Sequence, residues 1–225
     1  MHAAVITEPR KLELQELDPP AVGPKDVKIE IRSSGVCGTD VHIYGGDYIG
    51  SYPVIPGHEF AGVVVETGPE VTRIHKGDHV AIEPNIACDN CEACLNNRQN
   101  FCENWQGVGV TRPGGMAEYA VVPEKAAFNI GDMPFELGAF VEPLSCVLHG
   151  VERTGFSLAD RVLIVGAGPI GILLAKTISI QGPSNITQVD RNRERLSMAG
   201  ENGAHRTCSS LEELGEERFD VVVDA

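Results

Sequence analysis

The sequence runs to 225 residues with a formal net charge of −14, an ordinary apolar content of 42% and seven cysteines. That length accommodates one large domain or two small ones around a real core. The acidic balance argues against a nucleic-acid partner, whose phosphates call for clustered Lys and Arg, and Met1-His2-Ala3-Ala4-Val5 lacks the charged and apolar regions of a cleaved signal.

In chain order, residues 3 to 35 read as short strands, with Val27, Ile29 and Ile31 alternating with Lys28, Glu30 and Arg32. Pro19-Pro20 and Gly23-Pro24 punctuate the stretch before them. From Val36 to His42 the pattern breaks into a loop and a helical turn, a setting in which functional groups are often presented. Phe60 to Glu66, Gly77 to Glu83 and Ala117 to Pro123 return to strand. The cysteine-rich lobe, 88 to 102, has little periodicity and reads as an excursion ordered by a metal. Phe135 to Arg153 is helical in spacing, with an interruption expected at Pro143.

At Arg161 the pattern changes. Val162-Leu163-Ile164-Val165 is a continuous apolar run, as in a strand buried on both faces. A glycine turn, an apolar helix (Ile170 to Ile180), a strand (Ile186 to Val189) and a polar helix from Asn192 to Asn202 complete a βαβ unit, and Phe219 to Ala225 begins a further strand. The window Val162 to Ile180 is nearly all apolar, but its Gly166, Gly168, Pro169 and Gly171 make it strand, turn and helix rather than a membrane span. Two domains are expected, 1–153 and 154–225, in a cytoplasmic protein without a membrane partner. A doubly wound sheet at this stage has about half its strands, so the sequence reads as a fragment of a longer chain.

Three constellations carry chemistry. Cys88, Cys91, Cys94 and Cys102 supply four thiolates, enough to close a tetrahedral zinc site whose role is structural. Cys37, His58 and Glu59, with Glu142 as a distant candidate, supply three ligands and leave a coordination position open, as zinc catalysis requires. On residue types alone, Cys37 as a small core hydrophobe and His58-Glu59 as a surface pair compete with that reading. Gly166-x-Gly168-Pro169-Ile170-Gly171 follows a strand and opens a helix, and Asp190 lies about twenty residues further on. The glycines admit a pyrophosphate to the helix N-terminus, and the acid accepts hydrogen bonds from a ribose 2′-hydroxyl. Asp190 favours NAD over NADP, while Arg191 and Arg195 blur that preference and Arg193 reads as a solvated face.

Gly57-His58-Glu59-x2-Gly62-x5-Gly68-x2-Val71, the four-cysteine lobe and the Gly166 fingerprint, in this order, resemble the zinc-dependent medium-chain dehydrogenases across the whole chain. Within that family Cys37-Gly38-Thr39-Asp40-x-His42 is similar to the polyol (sorbitol-type) and threonine dehydrogenases. The resemblance implies a GroES-like β-rich catalytic domain followed by a Rossmann domain of α/β type. It implies two zinc ions per chain, a catalytic one on Cys37, His58 and Glu59 and a structural one on the cysteine lobe. Glu142-Pro143 matches the Glu-Pro of polyol dehydrogenases, so Glu142 would reach the catalytic metal directly or through its water.

The implied reaction is hydride transfer from a secondary alcohol of polyol or sugar type to NAD, with Thr39 and His42 relaying the alcohol proton and Tyr44 lining the substrate pocket. L-Threonine 3-dehydrogenase is the runner-up, supported by Gly107-Val108-Gly109-Val110-x-Arg112-Pro113-Gly114 and opposed by Glu142. A truncated, inactive zinc-binding module is the reading from another class. The expected partners are a small-molecule substrate and, in a full-length enzyme, further copies of the same chain.

Overall fold

A computed structural model describes residues 1–182 and 185–225, in two compact units, Met1–Glu142 and Pro143–Ala225. The first unit opens with an antiparallel pair, β1 (His2–Glu8) and β2 (Lys11–Glu16). Its main sheet then takes β3 (Asp26–Ser34). After the helix α1 (Gly38–Gly45) come β4 (Phe60–Thr67) and β5 (His79–Ile82). A two-residue strand β6 (Asn85–Ile86), the short helix α2 (Glu92–Leu95) and β7 (Gln106–Gly107) frame the cysteine lobe. With β8 (Tyr119–Pro123) and β9 (Ala127–Asn129) the five-stranded antiparallel sheet is complete, in the order β8-β3-β4-β5-β9. The alternation read from residues 27 to 32 sends Val27 and Ile29 fully into a core with Phe60, Val64, Val80 and Val122.

The register of β3 on β4 positions the metal-ligand candidates. Ser34 pairs with Phe60 at the open end, and Gly35 N–H donates to Glu59 O at 2.7 Å. The segment from Gly35 to Cys37, at the end of β3, is thereby laid beside Gly57-His58-Glu59, at the start of β4.

Phe135 to Arg153 departs from expectation in detail. The break between α3 (Phe135–Ala139) and α4 (Val141–Thr154) falls at Phe140, and Pro143 sits inside the first turn of α4. A first-turn N–H has no intrahelical partner to lose, so proline is tolerated there. The unit boundary falls at Glu142, earlier than after residue 153, because Val147 and Val151 of α4 pack with Val162, Ile164 and Ile178.

The second unit is a four-stranded parallel sheet in the order β12-β11-β10-β13. Its strands are β10 (Arg161–Val165), β11 (Asn185–Val189), β12 (Arg206–Cys208) and β13 (Val221–Asp224), with α5 (Pro169–Gln181) after β10 and α6 (Arg193–Glu201) after β11. The short polar β12 and a 3-10 turn at Leu211–Leu214 carry no period of their own and were not expected. This is the strand order of a Rossmann half with its first return crossover. Among the described residues no helix is long and apolar enough to cross a membrane.

Candidate metal centres and dinucleotide loop

One ligand atom each from Cys37, His58 and Glu59 converges to within 4.8 Å, with His58 buried and the other two half-buried. Gly57 makes the approach possible. Its φ of +91° belongs to the left-handed region, and a Cβ there would lie 2.8 Å from Met116 and 3.2 Å from the Ser34 hydroxyl.

The residue that organises this cluster is Asp40, buried at 5% exposure in the first turn of α1. Its carboxylate accepts Cys37 N–H at 2.8 Å and Gly57 N–H at 3.0 Å, and it faces His58 Nδ1 at 3.6 Å. That last separation is an ion-pair distance rather than a hydrogen bond, and His58 Nδ1 has no other partner among the described residues. With Nδ1 turned toward a carboxylate, Nε2 is the nitrogen left available to a metal, as in the carboxylate–histidine arrangement typical of zinc sites. Burial works against protonation of His58, but Asp40, and after it Cys37, outweigh burial and raise its pKa to about 10. Burial likewise opposes ionisation of Asp40, but His58 and the Cys37 and Gly57 N–H groups together hold its carboxyl below the usual range. A thiol, an imidazole and a carboxylate around an ionised acid form a donor set that a divalent zinc ion neutralises, so the residues fit the metal. Asp40 escaped the sequence reading because an acid after Gly-Thr looks like a turn or cap residue. The signal that could have found it is its place three residues after Cys37, where the side chain reaches back to the Cys37 N–H.

Of the remaining candidates, Thr39 is half-buried and His42 exposed, on the same short helix. Tyr44 is 40% exposed and its hydroxyl donates to Arg10 O at 2.9 Å. Glu142 is half-buried in the first turn of α4 and is not one of the three convergent ligands.

Cys88, Cys91, Cys94 and Cys102 also converge within 4.8 Å. Cys91 and Cys94 Sγ lie 3.4 Å apart, and Cys88 and Cys94 Sγ 4.0 Å apart. A tetrahedron with Zn–S of 2.3 Å has S···S edges of about 3.8 Å, which these separations bracket. The thiols do not share one ionisation behaviour. The N–H of Asn90, chiefly, lowers Cys88 to about 6, whereas burial and then Cys91 push Cys94 up to about 12. Four thiolates cannot coexist here without a cation, and a tetrahedral zinc ion fits this donor set. Lys125 fastens the lobe from outside, donating to Ala87 O at 2.5 Å and to the Asp89 carboxylate.

In the second unit, β10 is followed by Gly166 at φ +107°, and Gly168 caps α5 with Pro169 as its first residue and Ile170 next. The first intrahelical bond runs from Ile172 N–H to Gly168 O, so the N–H groups ahead of it face the loop. Gly171 admits close packing, since a Cβ there would lie 2.2 Å from Gly166 O. Asp190 accepts Asn192 N–H and Ala167 N–H, both at 2.7 Å, and these bonds, with Arg195 and Arg191 nearby, hold its carboxyl below the usual range. Gly166, Asp190, Arg191, Arg195, Ser209 and Ser210 line one cavity of about 540 Å³, large enough for an adenosine moiety.

Residues 23–132 match the family described as "Alcohol dehydrogenase GroES-like domain". D-altritol 5-dehydrogenase of Agrobacterium fabrum is 36% identical over 100% of this chain and 69% of its own length. L-threonine 3-dehydrogenase of Symbiobacterium thermophilum is 41% identical over 87% of this chain and 58% of its own length. The chain thus spans between about half and two thirds of the length of such curated relatives. Among solved structures, galactitol-1-phosphate dehydrogenase from Escherichia coli superposes with a TM-score of 0.92 at 33% identity, covering 100% of this chain and 68% of that one. The chain belongs to the zinc-dependent medium-chain dehydrogenase family, in its polyol and threonine branch, a family whose chemistry runs on zinc and a nicotinamide cofactor.

Proposed function

We propose that this chain carries the catalytic zinc site and the adenosine half of the cofactor site of an NAD-linked dehydrogenase acting on a secondary alcohol of polyol or sugar type. The convergence of Cys37, His58 and Glu59 on one point, backed by Asp40, carries the reading. Two zinc ions per chain are proposed, one there and one on the cysteine lobe.

When bound, zinc supplies Lewis acidity and the nicotinamide a hydride acceptor. The chain's own part is to position and to move a proton. Asp40 orients His58, and Glu142, at the start of α4, is proposed as a further group at the metal. Thr39 and His42 are three residues apart on α1, so their side chains share a face. A proton leaving the alcohol passes from the half-buried Thr39 hydroxyl to exposed His42 and on to solvent, and Tyr44 stands further along the same helix.

At the cofactor, Gly166, Gly168, Pro169, Ile170 and Gly171 form the phosphate approach, and the ionised Asp190 accepts the ribose hydroxyl. A 2′-phosphate would meet that carboxylate, which supports NAD, while Arg191 and Arg195 in the same cavity are the residues an NADP-using variant would recruit.

The 41% identity to a threonine dehydrogenase supports a second reading with the same machinery and an amino-alcohol substrate. Reduction of NAD and of NADP by the zinc-loaded protein with D-altritol, L-arabinitol, sorbitol, galactitol and L-threonine separates the two. Turnover of the polyols and not threonine is expected, and threonine turnover alone would overturn the polyol reading.

A further inference from the structure

Gln188 is fully buried in β11, and such an amide is costly unless its groups are paired. Only half of it is. Nε2 donates to Gly166 O at 2.7 Å, while Oε1 has no partner among the described residues. A side chain kept at that cost, where Leu or Met would fill the space, points to a task for the one bond it makes.

That bond belongs to a pair. Gly166 C=O and Ala167 N–H are the two ends of a single peptide group, and Asp190 Oδ2 accepts the Ala167 N–H at 2.7 Å. Gln188 lies in β11 and Asp190 one residue past its end, and between them they hold one peptide group at both its C=O and its N–H. The plane sits where β10 turns into α5, with Gly166 at φ +107° and its N–H on Val189 O at 2.7 Å. Gly171 closes the third side, since a Cβ on it would come within 2.2 Å of Gly166 O and 3.0 Å of Gln188 Nε2.

Resting on the dinucleotide reading above, we infer that Gln188 is a positioning residue that, together with Asp190, locks the 166–167 peptide plane and so aims the N-terminus of α5 at the cofactor pyrophosphate. Asp190 then has two duties, one to the ribose and one to the loop. Gln188 has only the second, so its effect falls on every pyrophosphate ligand alike.

The test is NADH, NADPH, ADP-ribose and adenosine binding to wild type, Gln188→Met and Gln188→Glu, with thermal melting and amide hydrogen exchange of residues 166–168. Gln188→Met keeps volume and removes the donor. It is expected to melt near wild type, to expose the Ala167 amide to exchange, and to weaken NADH, NADPH and ADP-ribose about tenfold, the worth of one such hydrogen bond, while adenosine is unchanged. Gln188→Glu places a charge against Gly166 O and weakens the same three further. A folded Gln188→Met that binds all four as wild type does, with its Ala167 amide still protected, overturns the inference and leaves the dinucleotide reading intact. A wild type that binds no dinucleotide overturns both. Equal weakening toward adenosine would reassign Gln188 to general packing.

Discussion

Asp40→Asn is the sharpest probe of the catalytic metal site. The substitution keeps the shape and one carbonyl oxygen but removes the charge and turns one acceptor into a donor. In the native chain the two carboxylate oxygens serve Cys37 N–H, Gly57 N–H and the face of His58 Nδ1, at 2.8, 3.0 and 3.6 Å. With asparagine, one N–H loses its acceptor in a buried setting, which costs about 1–3 kcal/mol of fold stability. Removing the carboxylate behind a metal-binding imidazole weakens the metal about 10–100-fold, or about 1.4–2.8 kcal/mol. Chelator competition with zinc analysis reads both sites, and the cysteine lobe serves as internal control because Asp40 bonds to none of its residues. The expectation is one zinc lost at low chelator and one retained as in wild type. A folded Asp40→Asn protein that holds both with unaltered affinity would refute the role assigned to Asp40.

The same geometry sets three more outcomes. In the metal-free chain His58 has a folded pKa of about 10 against an ordinary value of 6.5, so its pairing with Asp40 stabilises fully below about pH 6.5 and fades as pH rises through about 10. Zinc must displace that proton, so affinity at this site rises with pH across that window, and calorimetry in two buffers at about pH 8 should register proton release; none would contradict the charge state assigned to His58. Cys94→Ser removes a buried lobe ligand and is expected to lower zinc from two ions per chain to one and to open residues 88–102 to limited proteolysis, whereas full zinc content would show the lobe closed by other groups. His42→Ala should slow NAD reduction more at neutral than at alkaline pH, where hydroxide takes the proton instead; a ratio flat in pH removes His42 from the relay.

The two clusters of candidate ligands were legible because thiols and imidazoles are chemically particular and their spacing is short or set in glycine. The means of bringing Cys37 to His58 was not legible, since it lies in the Ser34–Phe60 register, a property of two strands rather than of either segment. Asp40 and Gln188 were missed for a related reason. An acid in a turn and a lone amide in a strand have no motif, and each acquires meaning only from the N–H or C=O that folding places against it. The Rossmann strand β10 announced itself as an apolar run, while β12, Arg206-Thr207-Cys208, is ordered by its neighbour β11 and left no trace in composition. Pro143 misled because its effect depends on distance from the helix start, which the sequence does not mark.

The pairing of β3 with β4 has a consequence for how such a protein can vary. The ligands stand at the two ends of an excursion, and the sheet fixes those ends whatever the middle contains. Asp40 anchors the near part of that excursion, but residues 46–53, with exposed Tyr48 and Ile49 at its tip, contribute no ligand to the metal cluster. Insertions, deletions or wholesale replacement of that tip would change the surroundings of the metal while leaving the distance between thiol and imidazole untouched. The metal centre behaves as a fixed socket, and the loop as an exchangeable fitting around its mouth.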